Sequence, residues 1–137
     1  NFHGDLHFEN ILKNKKKITL LDWREDFSGI SKYGDIYYDL AKINHGLIID
    51  HSIIKSSKFN VIVDKKNVKI NYHQSKENKD CQKYFFQFLK QEKYSEKKVK
   101  ILTSLIFLNI AALHHYPYSL FLYYLGKYML SKSLNEN

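Results

Sequence analysis

Three side chains near the start of the sequence carry the oxygen atoms that a magnesium-dependent reaction uses. Asp5 and Asn10 are separated by four residues within His-Gly-Asp-Leu-His-Phe-Glu-Asn, and Asp22 follows the apolar pair Leu-Leu. Carboxylate and amide oxygens are ligands that Mg²⁺ accepts, and a carboxylate can take the proton of a hydroxyl group. Phosphoryl transfer depends mainly on positioning and charge neutralisation, so two carboxylates and one carboxamide suffice on one side of such a site. The three residues together are more informative than any one of them.

The elements that must bring these side chains together are short. Gly4 predicts a tight loop over residues 1–7, because glycine permits backbone angles that other residues avoid. The β-prone runs 8–12 and 18–23 flank the polar residues 13–17. This order predicts a hairpin that carries Asn10 and Asp22 on its two strands.

A helix is predicted where the hydrophobic period changes, directly after a loop over residues 24–34. Asp35 stands where an N-cap carboxylate is favoured. The following apolar residues fall on one helical face: Ile36, Leu40, Ile43 and Leu47. We therefore expect the first long helix of the chain to begin beside the two loops that carry the acidic residues.

The second half of the chain is predicted to be mostly helical. We expect a hairpin over 59–63 and 68–72, followed by a linker over 74–80. Three helices are expected after it, over 80–92, 95–115 and 117–134, with Pro117 in the first turn of the last one. The apolar stripes of these helices predict a core formed by Phe85, Phe88, Leu89, Leu102, Ile106, Ile110, Leu113, Phe121, Leu125 and Met129. The expected fold is α+β and mostly helical, in one domain divided into catalytic and metal loops (1–32), a helix (33–56), a hairpin (59–73) and a helical body (78–134).

Three motifs taken together resemble the aminoglycoside phosphotransferase and choline kinase superfamily. They are HGDLHFENIL, LLDW and YGDIYYDLA, and they cover residues 3–41. The resemblance implies the C-terminal lobe of a protein-kinase-like fold, with ATP as co-substrate and Mg²⁺ as cofactor. It implies that Asp5 is the catalytic base and that Asn10 and Asp22 bind magnesium. By the same resemblance Asp35 hydrogen-bonds the catalytic loop from the following helix, a role that Asp39 is able to share.

Other residues near these motifs have two readings each. His3 is expected to support the loop from beneath rather than to act as a catalyst, and His7 either approaches phosphate or fills the loop. Candidates for substrate binding stand at the mouth of the site, although contact with solvent alone is the alternative: Arg24, Glu25 and Asp26. Trp23 is expected to pack near the metal-binding strand.

Composition and charge argue against several classes of function. The net charge of +8 comes almost wholly from lysine, with Arg24 as the only arginine, whereas nucleic-acid binding favours arginine. A basic RNA-associated domain is the weakest alternative. The adjacent His114 and His115 have poor spacing for one metal on a helix. The single cysteine, Cys81, is expected to pack and excludes an internal disulfide, which fits a reducing cytoplasm. No apolar stretch reaches the ~20 residues of a membrane span.

The chain begins two residues before its first motif, so we expect a segment of a longer protein whose N-terminal nucleotide lobe lies upstream. The segment alone is expected to be inactive or nearly so.

The resemblance leaves the hydroxyl acceptor open among a sugar, an amino-alcohol such as choline, and an aminoglycoside; the basic surface disfavours a polycationic antibiotic. Four tyrosines suit either a cationic head group or an ordinary core: Tyr116, Tyr118, Tyr123 and Tyr124. The non-catalytic alternative is a truncated or decayed kinase lobe that acts as a binding module.

Overall fold

The computed structural model describes residues 2–30, 33–49, 53 and 58–136. Over these residues the fold is α+β, with four helices and two small antiparallel hairpins. In chain order the elements are a 3₁₀ turn (Phe8–Asn10), β1 (Ile11–Asn14), β2 (Lys17–Leu20), α1 (Ile36–Ile48), β3 (Phe59–Asp64), β4 (Asn67–Tyr72), α2 (Lys76–Gln91), α3 (Glu96–Ala111) and α4 (Tyr118–Asn135). The coarse prediction, α+β and mostly helical, is confirmed.

The first hairpin is present, but its first strand begins at Ile11 rather than at residue 8. Residues 8–10 form a 3₁₀ turn, closed by a hydrogen bond from Asn10 N to His7 O (2.9 Å), rather than the start of a strand. The second strand ends at Leu20, because Asp22 adopts a left-handed φ of 56° that interrupts extended backbone. The predicted bounds 8–12 and 18–23 are therefore wrong at the ends nearest the site.

Helix α1 begins as predicted and ends earlier. The Asp35 carboxylate caps it by accepting a hydrogen bond from Tyr37 N (2.9 Å). Its C-cap residue, Ile49, is already extended, so the predicted helix over 33–56 is interrupted at that residue. Of the rest of that prediction, residues 50–52 and 54–56 lie outside the described residues, and Ile53 is buried.

The second hairpin has the predicted strands, but the linker after it is shorter than predicted. Ser75 caps α2 by accepting a hydrogen bond from Asn78 N (3.1 Å), so most of the predicted linker 74–80 is helix. Ser95 caps α3 in the same way through Lys98 N (3.2 Å). Helix α3 ends at Ala111 rather than at residue 115, and Pro117 precedes the first residue of α4.

The core lies where α3 and α4 pack against each other and against α1. Its largest cluster joins the end of α1 to these helices: Ile48, Ile49, Ile53, Phe107, Ala111, Tyr118, Phe121, Leu122 and Leu125. Among the predicted core residues, Leu89, Ile106, Phe121 and Leu125 are buried. Phe88 and Leu113 are exposed, as is Cys81, so their prediction as packing residues is wrong.

A buried polar network fixes the rotation of α1 against its neighbours. Asn44 donates a hydrogen bond to Thr103 on α3 (3.0 Å) and accepts one from Gln82 on α2 (2.8 Å). Buried amides without such partners would destabilise the fold, so this network favours one orientation of α1. The Asp39 and Lys42 side chains are directed toward the first loop as a result.

Within the described part of the chain, every helix is too short or too polar to cross a membrane.

Candidate active site

A loop over residues 3–7, called here the site loop, is held on α1 by one carboxylate. The two oxygens of Asp39 accept hydrogen bonds from the backbone amides of His3 (2.6 Å) and Gly4 (2.8 Å). Asp39 is buried, so both bonds are shielded from competing water. Gly4 has a φ of 84°, and a Cβ there would lie 2.7 Å from Cβ of Arg24. The loop conformation therefore requires glycine at this position.

His3 lies beneath the site loop. Its Nδ1 accepts a hydrogen bond from Asp5 N (3.3 Å), and its carbonyl accepts one from Arg24 N (3.0 Å). The imidazole is buried, with its ring centre 4.8 Å from that of Trp23. This position suits a supporting residue, because the side chain faces the loop backbone. Trp23 covers it from the outer side while remaining exposed to solvent.

Asp5 stands at the end of the site loop with its two oxygens in different surroundings. Oδ1 lies 2.7 Å from Nζ of Lys42, and Oδ2 lies 3.6 Å from Nε2 of His7. Partial burial raises the pKa of Asp5, but the Lys42 ammonium, helped by His7 and Arg24, outweighs it and holds the pKa below its usual range. Asp5 is therefore a carboxylate at neutral pH.

Asn10 is tied to both Asp5 and the strand that precedes Asp22. Its Nδ2 donates to the Asp5 carbonyl (3.0 Å), which leaves Oδ1 as the carboxamide's remaining ligand atom. Its own carbonyl accepts a hydrogen bond from Leu21 N (2.9 Å), extending the β1–β2 ladder by one pair. Asp22, the next residue, is thus at the same end of the hairpin as Asn10. Its carboxylate is exposed.

The donor atoms of these residues fit Mg²⁺. Two carboxylates and one carboxamide offer only oxygen ligands, and Mg²⁺ usually takes one or two carboxylates while keeping several waters. Among the described residues, no group of three or more His, Cys, Asp or Glu side chains is placed to hold a metal ion. The candidate set differs from such a group because one of its members is the buried Asn10.

The two aspartates at the start of α1 have different partners. Asp35, which the resemblance places against the catalytic loop, instead caps α1 and forms an ion pair with Lys98 (2.8 Å). The structure places Asp39 against the site loop in its stead. Asp39 is one helical turn further along and faces the loop, whereas Asp35 faces α3.

The residues predicted at the mouth of the site lie on an exposed loop. The Asp26 carboxylate accepts a hydrogen bond from Gly29 N (2.9 Å), which is the bond of a turn residue. Arg24 lines a cavity of about 310 Å³ together with Lys42, and Glu25 is exposed. Arg24 thus borders a cavity that is also lined by Lys42, the ion-pair partner of Asp5.

Lys42 is the site residue that sequence reasoning missed. It is three residues after Asp39, so a helix that directs Asp39 at the loop directs Lys42 to the same side. This spacing is the signal that was available. Its side chain is only 16% exposed, and it lines both the Arg24 cavity and a second cavity of about 290 Å³. We call the second one the loop cavity; its polar lining residues are His7, Glu9, Lys42, His45, His114 and Tyr118.

Compared with models of protein families, with curated proteins and with solved structures, the chain gives no match. The resemblance to a kinase-like superfamily therefore rests on the motifs over residues 3–41.

Proposed function

We propose that the chain forms the catalytic side of an enzyme that transfers the γ-phosphoryl group of ATP to a hydroxyl of a small molecule. The observation that carries this proposal is the linked arrangement of Asp5, Asn10 and Asp22. Asn10 is hydrogen-bonded to the Asp5 carbonyl on one side and to Leu21, next to Asp22, on the other. Oxygen ligands for a metal ion beside a carboxylate base are what phosphoryl transfer requires of a protein.

Asp5 is the proposed base. The acceptor oxygen attacks the γ-phosphorus, the bond from that phosphorus to the β–γ bridging oxygen breaks, and ADP leaves with the electron pair. The hydroxyl proton passes to the Asp5 carboxylate. Oδ2 suits this role, because its 3.6 Å separation from His7 Nε2 is too long for a strong hydrogen bond. A loose transition state needs little help from a strong base, so a lowered pKa of Asp5 is compatible with the step.

Lys42 and the metal ligands have separate proposed tasks. Lys42 holds Oδ1 of Asp5 at 2.7 Å and so fixes the direction of Oδ2. Asn10 Oδ1 and the Asp22 carboxylate would hold Mg²⁺, which neutralises charge on the phosphates when bound.

Replacement of the base tests this proposal. Asp5→Asn in the full-length protein is expected to reduce ATP turnover by at least about 100-fold, since general-base contributions are ~10²–10⁴-fold. Asp80→Asn, a change of the same kind at an exposed position on α2, is the matched control and should stay close to wild type. Thermal unfolding of both variants checks the fold. Unchanged turnover in Asp5→Asn would exclude Asp5 as the base.

A non-catalytic binding module is the second candidate, and the Lys42–Asp5 ion pair favours it. A carboxylate that is neutralised at 2.7 Å is less basic than a free one. Under this alternative the full-length protein would bind its small molecule without magnesium-dependent ATP turnover. Loss of turnover in Asp5→Asn with binding retained would decide for the enzyme.

A further inference from the structure

The loop cavity lies beside Asp5 and is separated from it only by two of its own lining residues. His7 lies 3.6 Å from one oxygen of Asp5, and Lys42 lies 2.7 Å from the other. The remaining walls come from α1, the end of α3 and the start of α4. Asp5 itself does not line the cavity, so the hydroxyl of a molecule bound there would reach the proposed base past the His7 side chain.

The size of the loop cavity limits its occupant. Its volume of about 290 Å³ is just below the ~300–1,000 Å³ range of ligand pockets. A single ring of monosaccharide size suits that volume. A molecule of several linked rings, such as an aminoglycoside, would extend far outside it.

The charges of the lining residues disfavour an ammonium group. Lys42 places an ammonium in the wall that is paired with Asp5, so the two together offer a bound cation no net attraction. Glu9 is the one carboxylate in the described lining, and its side chain is 62% exposed and 3.9 Å from His7. Asp5, the nearest other carboxylate, is already paired with Lys42. A cationic head group would therefore find no buried negative partner here.

The aromatic residues of the cavity do not form a cage for a cation. The Tyr118 ring stacks with Phe121 (6.0 Å between centres), and it has further contacts with Phe59 and His114. Three other rings thus contact Tyr118, which leaves Phe8 to offer an open face to a cation, and a single ring does not form a cage. Burial raises the pKa of Tyr118 to about 12, so its hydroxyl remains a hydrogen-bond donor at neutral pH.

Hydrogen-bonding groups and apolar walls remain, and this combination suits hydroxyl-rich molecules. Imidazoles of His7 and His114 and the Tyr118 hydroxyl are donors or acceptors, while Ile49 and Ile110 supply apolar surface. We propose that the loop cavity binds the acceptor and that this acceptor is an uncharged polyhydroxylated molecule of monosaccharide size. The role of this molecule as acceptor rests on the proposed function. Its binding in the loop cavity does not depend on catalysis.

Ligand-observed NMR on residues 1–137 tests the inference, with D-ribose, methyl glucoside and choline as probes and with neither ATP nor magnesium present. Saturation transfer is expected to the two sugars and not to choline. His114→Ala should weaken sugar binding about fivefold, the loss of one hydrogen bond. His115→Ala is the matched control, because His115 is the adjacent residue and does not line the cavity; it should bind as the wild type does.

The inference would be overturned if choline bound as tightly as the sugars or more tightly. It would also be overturned if the sugars gave no signal, or if His114→Ala weakened their signal no more than His115→Ala does. These outcomes are distinguishable from failure of the proposed function. Sugar binding that persists while Asp5→Asn leaves turnover unchanged would overturn the phosphotransferase and retain the sugar site. Loss of turnover in Asp5→Asn together with no sugar binding would retain the phosphotransferase and overturn the sugar site.

Discussion

Asp5 is held as a carboxylate by a neighbour that also limits its basicity. Lys42 lies 2.7 Å from Oδ1, and only 21% of the Asp5 side chain is exposed, so water weakens this ion pair less than it weakens a surface pair. The pair orients the carboxylate while leaving Oδ2 on the side of His7. Under the proposed mechanism, positioning therefore outweighs base strength at this residue.

Removing Lys42 should destabilise the fold at neutral pH and much less in acid. The lowered pKa of Asp5 means that the ion pair contributes stability above the unfolded pKa of about 3.9 and loses it as pH falls through the folded value. We expect Lys42→Met to reduce the free energy of unfolding by about 1–3 kcal/mol at pH 7, between the values for exposed and buried pairs. Urea denaturation at pH 7 and below pH 3 measures the difference.

Lys83→Met is the control for this prediction. Lys83 pairs with Asp80 at 3.1 Å, but both side chains are largely exposed. Such a pair contributes about 0–0.5 kcal/mol, so its removal should have little effect at either pH. Equal destabilisation by the two lysine variants, or a Lys42→Met effect that is the same in acid, would contradict the account of Asp5.

Helix α1 connects the core to the site loop. An aspartate before its first turn caps the helix, and an aspartate in its next turn binds the loop. Asp35 caps the helix, whereas Asp39 holds the loop through His3 N and Gly4 N. The network around Asn44 then fixes the helix against α2 and α3. Displacement of α1 would therefore move both Asp39 and Lys42 relative to Asp5.

Asp39→Ala should cost more stability than Asp35→Ala. Loss of the Asp39 carboxylate leaves two backbone amides without acceptors, at ~1–3 kcal/mol for each buried donor, so we expect about 2–6 kcal/mol. Loss of the N-cap at Asp35 should cost about 1 kcal/mol. Denaturant unfolding of the two variants gives the comparison. A larger cost for Asp35→Ala would mean that the site loop is not anchored as described.

Local signals predicted most elements, and tertiary contacts decided the rest. Asp35 as a cap and the second hairpin follow from short-range chemistry, and both are as predicted. The linker over 74–80 was wrong because a single cap, Ser75, begins α2 within a polar stretch. The partners of Lys42 and Asp39 depend on how α1 is rotated, which no local pattern specifies.

At the scale of the whole molecule, one core joins α1, α3, α4 and the second hairpin. Phe59 on β3 packs against Phe121 on α4, with ring centres 4.9 Å apart. The first hairpin has no comparable cover: Leu12 and Ile18 are more than half exposed. The site is thus attached to the core through α1 rather than through its own hairpin.

Core and surface apolar residues of the predicted stripes should differ sharply in their contribution to stability. Phe121 is fully buried, and Phe121→Ala should reduce the free energy of unfolding by about 3–5 kcal/mol. Leu113 is 75% exposed, and Leu113→Ala should change it by less than about 0.5 kcal/mol. Thermal or denaturant unfolding of both variants makes the test. A large effect at Leu113 would indicate that the surface of the α3–α4 corner is covered.

The most direct test of the proposed metal site is paramagnetic broadening by Mn²⁺, used in place of Mg²⁺, in the amide NMR spectrum of residues 1–137. Signals of Asp5, Asn10, Asp22 and Trp23 should lose intensity before those of α2 and α4, and Asp22→Asn should weaken the effect. Broadening centred elsewhere, for example on the exposed Asp80, with the signals around Asn10 unchanged, would contradict a shared magnesium site and with it the proposed phosphotransferase.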